Sequence, residues 1–269
     1  YGLGEPSAGI DDTTVSQAAD RCDSTDTVNG PPWFTCNGSF TTEGSPDEIL
    51  SSLLTSMGGL LWYGQGRWKM KAAEWVAPTE TYTLEDMRGP IKVQTRHSRR
   101  DNYNTVKGTF RGAESDWQPT DYPAVTNTAF LDADGGQESV VNVELAFTDN
   151  SEEARRLARI NLERNRQQLT VDIVTSLKGM KNQVGDNIRL TIDRYGWFNK
   201  IFEVVSWTLS LGENLEMMVQ MTVRETSQNI FDEVSDGVIY ERDNTTLLSP
   251  FDVPEIGVTI TPFAQILDE

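Results

Sequence analysis

The one histidine of the chain, His97, stands in "RHSRRDNYN", residues 96–104, with Arg96, Arg99 and Arg100 around it and Asp101 and Tyr103 just behind. An imidazole among guanidinium groups could serve as a general base, and neighbouring arginines could grip a carboxylate or phosphate through paired hydrogen bonds. The same residues also suit the end of a β-strand with a charged surface. His97 cannot form a metal site with other histidines, because none exist. In an acidic chain the arginines have carboxylates of this chain or of a neighbour to pair with, and His97 has no partner at catalytic spacing, so the structural reading is preferred.

Other candidates for chemistry carry less. "DADGGQE", Asp132 to Glu138, resembles a calcium loop, but its glycines arrive too early and its ligand ladder is incomplete, so a turn is expected. The chain holds 41 acidic residues, enough to assemble a glycosidase pair on paper almost anywhere, and nothing singles one pair out. No phosphate-cradling glycine loop, G-x-S-x-G elbow or H-E-x-x-H is present. We therefore expect no catalytic residue, no metal and no cofactor. Cys22 and Cys36 are too few for a disulfide framework; free thiols fit a protein made in the cytoplasm, and a disulfide closing the short loop fits one that ends outside the cell. A carbohydrate-binding module built on Trp62, Trp68 or Trp197, or a cell-wall hydrolase, stands as the alternative to a purely structural role.

These side chains sit on a chain of 269 residues, long enough for one large or two ordinary domains. Its formal net charge is -18, concentrated at the ends: residues 1–50 hold nine acids against Arg21, residues 227–269 hold nine against Arg242, and the middle is left with -2. Such a surface repels phosphates, which argues against sequence-specific nucleic-acid binding. No run approaches the length of a membrane span. The N-terminus lacks an initiator methionine, a basic region and an apolar signal core, as expected of a piece of a longer chain.

The periodicity is α+β, mainly β. "TTVSQAADRCD" suits a short helix; "SPDEILSSLLTSMGG" suits a second, with Ser45 as N-cap, Pro46 in the first turn, Glu48 completing a capping box and Gly58–Gly59 as the stop. "LLWYGQGRWKMKA" reads as two strands about a Gly-Gln-Gly turn, and "PIKVQTR" and "NTVKGTFRG" alternate as strands. The one long helix lies in "DNSEEARRLARINLERNRQQ", near 150–168, with acids at its start and arginines at its end; its narrow apolar stripe predicts a helix lying across a sheet or a neighbouring subunit rather than inside a core. Four strands follow, the last placing Leu215, Met217, Val219, Met221 and Val223 on one buried face. Consecutive antiparallel strands of this kind close into a barrel or sandwich. After Glu225 the periodicity is lost, as in an extended linker.

The order of the blocks carries further information. "YGLG", Cys22-Asp23, "FTCNG", "SPDEIL", "MGGLLWYGQGRWKMKA", "LEDMRGPIKVQTRHSRRDNYNTVKGTF", "SDWQPTDYPAVTN", "ARINLERNRQQLTV", "QVGDNIRLT", "GWFNKIFEVVSW" and "MTVRET" resemble, in sequence order, blocks of the phage tail tip protein J family, the central tail hub or host-specificity proteins of lambda-like siphophages. The resemblance spans roughly residues 1–226 and rests on many ordered blocks, each weak alone. It implies a tail-hub architecture: an α+β hub domain over 1–89, a tail-tube-like antiparallel β-barrel or sandwich with one long helix over 90–226, an acidic linker over 227–257, and the start of a fibronectin-like domain over 258–269. It implies a non-enzymatic virion component at the tail tip, made in the host cytoplasm, that closes the tail tube, opens for DNA passage and is joined to downstream receptor-binding regions. The partners implied are further copies in a homotrimer, tube-side ring proteins and the tape measure protein. Within the long block, Arg88, Arg96, Arg99, Arg100, Asp101, Asn104 and Lys107 are the expected interface or fold-signature residues.

Overall fold

The structure is a computed structural model that describes residues 4–25, 32–41, 44–95, 98, 101–212 and 216–231. Helix α1 (Asp12–Asp23) starts at Asp11, whose carboxylate accepts from the N–H groups of Thr13 and Thr14, a normal N-cap. Helix α2 (Pro46–Thr55) carries the expected proline in its first turn, but the Ser45 side chain makes no capping bond, so the expected capping box is absent. Its stop is as expected: Gly58 adopts φ +54° and the Gly59 N–H returns to Leu54 O at 2.9 Å. Strands β1 (Leu60–Gly64) and β2 (Arg67–Lys71) form an antiparallel hairpin through Gln65 and Gly66, both at positive φ, as a tight hairpin turn demands.

The remaining strands build two sheets. Strands β3 (Glu80–Thr83), β4 (Lys92–Gln94), β9 (Thr170–Thr175), β10 (Asn187–Ile192), β11 (Trp197–Leu211) and β12 (Met217–Glu225) form a six-stranded sheet in the order β3-β10-β11-β12-β9-β4. Strands β5 (Thr105–Arg111), β6 (Pro119–Asp121), β7 (Val125–Thr126) and β8 (Val140–Leu145) form a four-stranded sheet around β5. Pairing is antiparallel in both sheets except at β3 against β10 and β8 against β5, which run parallel and so depend on long crossovers. At the β5–β8 contact Gly108 is obligatory, since a Cβ there would lie 1.8 Å from Val143 O.

Each sheet has its own core. The inner face of the six-stranded sheet buries Tyr82, Val171, Ile173, Ile188, Leu190, Phe202, Val204, Val219, Met221 and Val223. Every one of these belongs to a strand of that sheet, and the partly buried neighbours are Met87, Ile91, Val93, Leu169, Trp197 and Trp207. Among the described residues no α-helix contributes to this core; the 3-10 turn Leu177–Lys181 packs on it at Val219, and the sheet, with β3 and β4 as its edges, wraps one apolar core as a barrel-like body.

The other core lies between the four-stranded sheet and α4 (Ser151–Arg166), with helix α3 (Thr128–Ala133) at its side. Here the sequence expectation is corrected: α4 is the centre of a core, with Ala154, Leu157, Ala158, Ile160 and Leu162 all buried against Val106, Tyr122 and Leu145. Its alanines let the helix axis approach the sheet closely, so a narrow apolar stripe suffices. Both cores draw residues from either side of position 90: Tyr82 enters the barrel, and Trp33, Phe34 and Ala73 enter the helix-sheet layer. The expected class, α+β and mainly β, is what the chain adopts. Beyond Glu225 the chain stays packed as far as Phe231, where a linker was expected, because Ile230 and Phe231 join the core around α4.

Candidate assembly surface

Of the residues selected from sequence, Arg96, His97, Arg99 and Arg100 lie outside the described residues. The structure separates the others. Arg88 is exposed on the barrel; its N–H donates to Val174 O at 2.7 Å and its Nη1 to the carbonyls of Glu85 and Met87 at 2.8 and 3.1 Å. Asp101 is exposed, and its carbonyl accepts from Asn165 Nδ2 at 2.8 Å, which ties the strand entry to the end of α4. Lys107 pairs at the surface with Glu138 at 3.1 Å.

Asn104 is fully buried and its amide is saturated: Nδ2 donates to Asp134 Oδ2 (2.9 Å) and Gln137 O (2.8 Å), and Oδ1 accepts from the Ser139 N–H (2.9 Å). It holds the fold and offers nothing to a partner. The same contacts explain "DADGGQE". Asp134 pairs with the Arg166 guanidinium as well as with Asn104, and Gly135 and Gly136 turn the chain at φ +75° and +77°. The segment is a turn clamped to the end of α4.

Two sites with the look of chemistry resolve into architecture. Glu153, in the first turn of α4, is buried, and that burial pushes its carboxyl up to about 7, in spite of bonds from Thr35 that favour the charged form. A carboxyl in that range suits a general acid. Its oxygens, however, are occupied by the Thr35 N–H (3.1 Å) and hydroxyl (2.7 Å). A groove of about 670 Å3 lies elsewhere, lined among others by Lys107, Thr109, Asp121, Tyr122, Asn142 and Glu144. Among the tryptophans, Trp62 and Trp197 are half-buried, and Trp68 is 40 % exposed with its ring edge-on to Tyr63 at 5.2 Å. Cys22 and Cys36 are free thiols, and burial pushes the Cys22 thiol up to about 11.

What sequence reasoning missed is the far end of the β11–β12 hairpin. Strand β10 pairs with β11 only over Trp197–Glu203, and β9 pairs with β12 only from Val219 onward. Beyond these limits β11 runs on from Ser206 to Leu211 with β12 alone as its partner, while β12 stays held by β9 as far out as Val219, so the ribbon is two-stranded only at its tip, Ser210–Leu211 against Met217–Met218. A β-bulge at Val205 marks where the ribbon begins. Its inward face continues the apolar alternation of the barrel core; the 3-10 turn Leu177–Lys181 packs on it at Val219, and farther out, among the described residues, it is open: Leu209, Leu211 and Met217 are 44 %, 64 % and 54 % exposed. The 3-10 turn Leu177–Lys181, held by the Trp207 Nε1–H bond to Gly179 O, leaves Leu177 and Met180 exposed as well. The alternation in "LEMMVQMTVRE" thus marks a buried face only from Val219 to Val223; Met217 is open and Leu215 lies outside the described residues. An exposed apolar patch at a two-stranded tip is a candidate contact surface.

The family profile described as "Putative phage tail protein" matches residues 45–205, which takes in the β1–β2 hairpin, the four-stranded sheet, α4 and the six-stranded sheet except β12 and the outer part of β11. The chain belongs to this family of phage tail proteins. Among solved structures, the tail protein is similar in fold to a chain of the native gene transfer agent virion, at 15% identity and a TM-score of 0.57 over 74% of this chain and 44% of that one. It is also similar to the tail protein from Neisseria meningitidis MC58, at 15% identity and a TM-score of 0.53 over 82% of this chain and 68% of that one. The chain therefore spans less than half the length of the gene transfer agent chain it matches. A search of curated sequences yields no match. The family is that of a virion structural component, and no helix among the described residues is long and apolar enough to cross a membrane.

Proposed function

We propose that this chain is a non-enzymatic module of a tail hub, in which three copies close the distal end of the tail tube, join it to downstream receptor-binding regions and open for DNA passage. The observation that carries this reading is the uncovered apolar ribbon of Leu209, Leu211 and Met217, which extends a barrel-like sheet past its own strands. The one carboxyl with a strongly raised pKa, that of Glu153, is occupied by Thr35 and lies apart from the groove lined by Lys107, Asp121 and Glu144. A structural ring needs a rigid body with an apolar extension, which this fold supplies. Tube-side ring proteins and the tape measure protein are the further partners of such a hub. The strongly acidic ends and a net charge of -18 suit a lumen along which DNA slides without sticking.

The test is imaging of assembled tails carrying a tag on this segment. Three copies around the axis at the distal tip are expected. A tag found along the tube or absent from the particle would sink the hub reading, and clearing of a peptidoglycan gel by the isolated chain would replace it with a hydrolase.

A further inference from the structure

The segment that leaves β12, Thr226 to Phe231, crosses from the barrel to the helix-sheet layer. Its first residue is tied to the barrel, the Thr226 N–H donating to Ile201 O at 3.3 Å. Its last residues are tied to α4: Arg159 Nη2 donates to Asn229 O at 3.4 Å, and Ile230 and Phe231 are 2 % and 9 % exposed. The Phe231 ring packs against Trp75 at 6.4 Å and lies under the Arg164 guanidinium at 5.4 Å.

Arg164 belongs to a charged joint between the two layers. Glu203, buried on the outer face of the barrel, pairs with Arg224 on the next strand at 3.3 Å. Arg164 from α4 and Lys71 from β2 both lie within electrostatic reach of Glu203, and burial shifts each of these two cations toward its neutral form. The joint is imperfectly satisfied: Arg164 Nη1 donates to Gly58 O at 3.0 Å, but its Nε is buried with no hydrogen-bond partner. A buried charge lacking part of its hydrogen bonding gains by reaching water. Phe231 covers the guanidinium that would gain.

We propose that Thr226–Phe231 is a releasable strap: docked, it seals the ionic joint between α4 and the barrel, and pulled away by tension on the residues that follow, it admits water to the joint and loosens the two layers. The geometry favours release of the strap before the barrel. β12 is hydrogen-bonded along both edges, to β11 and β9, so a pull along it loads many bonds at once. The strap is a 3-10 turn of three residues with two apolar anchors, which peel in sequence. That the strap seals the joint is independent of the hub reading; that tension reaches it in a virion rests on that reading.

Hydrogen exchange on the full chain tests the seal. Substituting Ile230→Ser and Phe231→Ser together is expected to speed exchange at Gly59, Ala73, Arg164, Glu203 and Arg224 by about tenfold or more, with Val171, Ile173, Val219 and Met221 unchanged. Unchanged exchange at the joint, or equal loss of protection throughout, overturns the proposal. If the double variant does not fold, Phe231→Leu, which keeps an apolar anchor but removes the ring beneath Arg164, should give a smaller increase at the same amides, and no increase is again fatal. Optical tweezers holding the exposed Cys36 thiol and the chain's C-terminal residue test the release. An early step of up to about 20 Å, the length of six extended residues, should precede the main unfolding and weaken in Phe231→Leu. A trace without it overturns tension release while leaving the hub reading to the imaging experiment.

Discussion

Glu153 accepts both the backbone N–H of Thr35, at 3.1 Å, and the Thr35 hydroxyl, at 2.7 Å, so a carboxylate at the start of α4 holds a loop more than a hundred residues earlier in the chain. Asp149 shares the hold, its carboxylate lying 3.1 Å from the same hydroxyl as an alternative acceptor and accepting from Asn37 Nδ2 at 2.7 Å. Burial pushes the Glu153 carboxyl up to about 7 from an ordinary value of 4.5, so the folded protein binds this proton more tightly than the unfolded chain does. Its contribution to stability is full below about pH 4.5, falls as pH rises toward 7, and is flat above. Glu153→Gln keeps an acceptor for Thr35 and removes the buried charge. Chemical denaturation at pH 8 should find the variant more stable by about 1–3 kcal/mol, with the gap closing toward pH 5. A gap that widens in acid would contradict the assignment.

Asn104 is predicted to be the costliest polar residue of the helix-sheet layer. Asn104→Ala leaves Gln137 O and the Ser139 N–H without their buried partner and removes one of the groups that hold Asp134. A loss of about 2–4 kcal/mol in urea unfolding is expected. Asn104→Asp should be no better, since a carboxylate would face Asp134 across 2.9 Å.

Gly108→Ala drives a methyl group into the Val143 carbonyl, at 1.8 Å, across a parallel strand pair that cannot part without moving the Leu145 end of β8 out of the core. A loss of about 3 kcal/mol or failure to fold is expected, read by thermal melting. Gly66→Ala, whose Cβ would meet nothing within 4 Å, bears only the strain of φ +78° and should lose about 1 kcal/mol.

The ribbon separates assembly from folding. Changing Leu209, Leu211 and Met217 together to Ser removes exposed side chains, so the melting temperature of the isolated chain should move little and its solubility should rise. If the ribbon is an assembly surface, tails bearing this variant should be absent or lack the chain. Normal tails with full infectivity would show that the ribbon does no assembly.

Much of the fold is legible in local patterns because local patterns are sufficient causes. Asp11 before α1, Pro46 in α2, Gly58 after it and Asn150 before α4, whose side chain accepts from the Glu152 N–H at 2.8 Å, act within a few residues of themselves. The strands from Thr170 to Glu225 follow from alternation alone. The order of blocks likewise pointed to a phage tail protein, which the profile match shows; the tail tip protein J family and the hub role go beyond that match and remain proposals.

What the tertiary structure decided concerns partners distant in sequence. Alternation in β12 reports that Met217 and Val223 share a face, but only the lengths of β9 and β10 determine that Val223 is covered and Met217 is not. Nothing near Asn104 announces that Asp134 and Ser139 will saturate it, and nothing near Phe231 announces Arg164. The chain by itself determined its elements, its class and its acidic ends, since these depend on neighbours along the backbone. Which side chains became core, latch or open surface depended on contacts between residues tens to more than a hundred positions apart, and such contacts exist only once the layers have closed on each other.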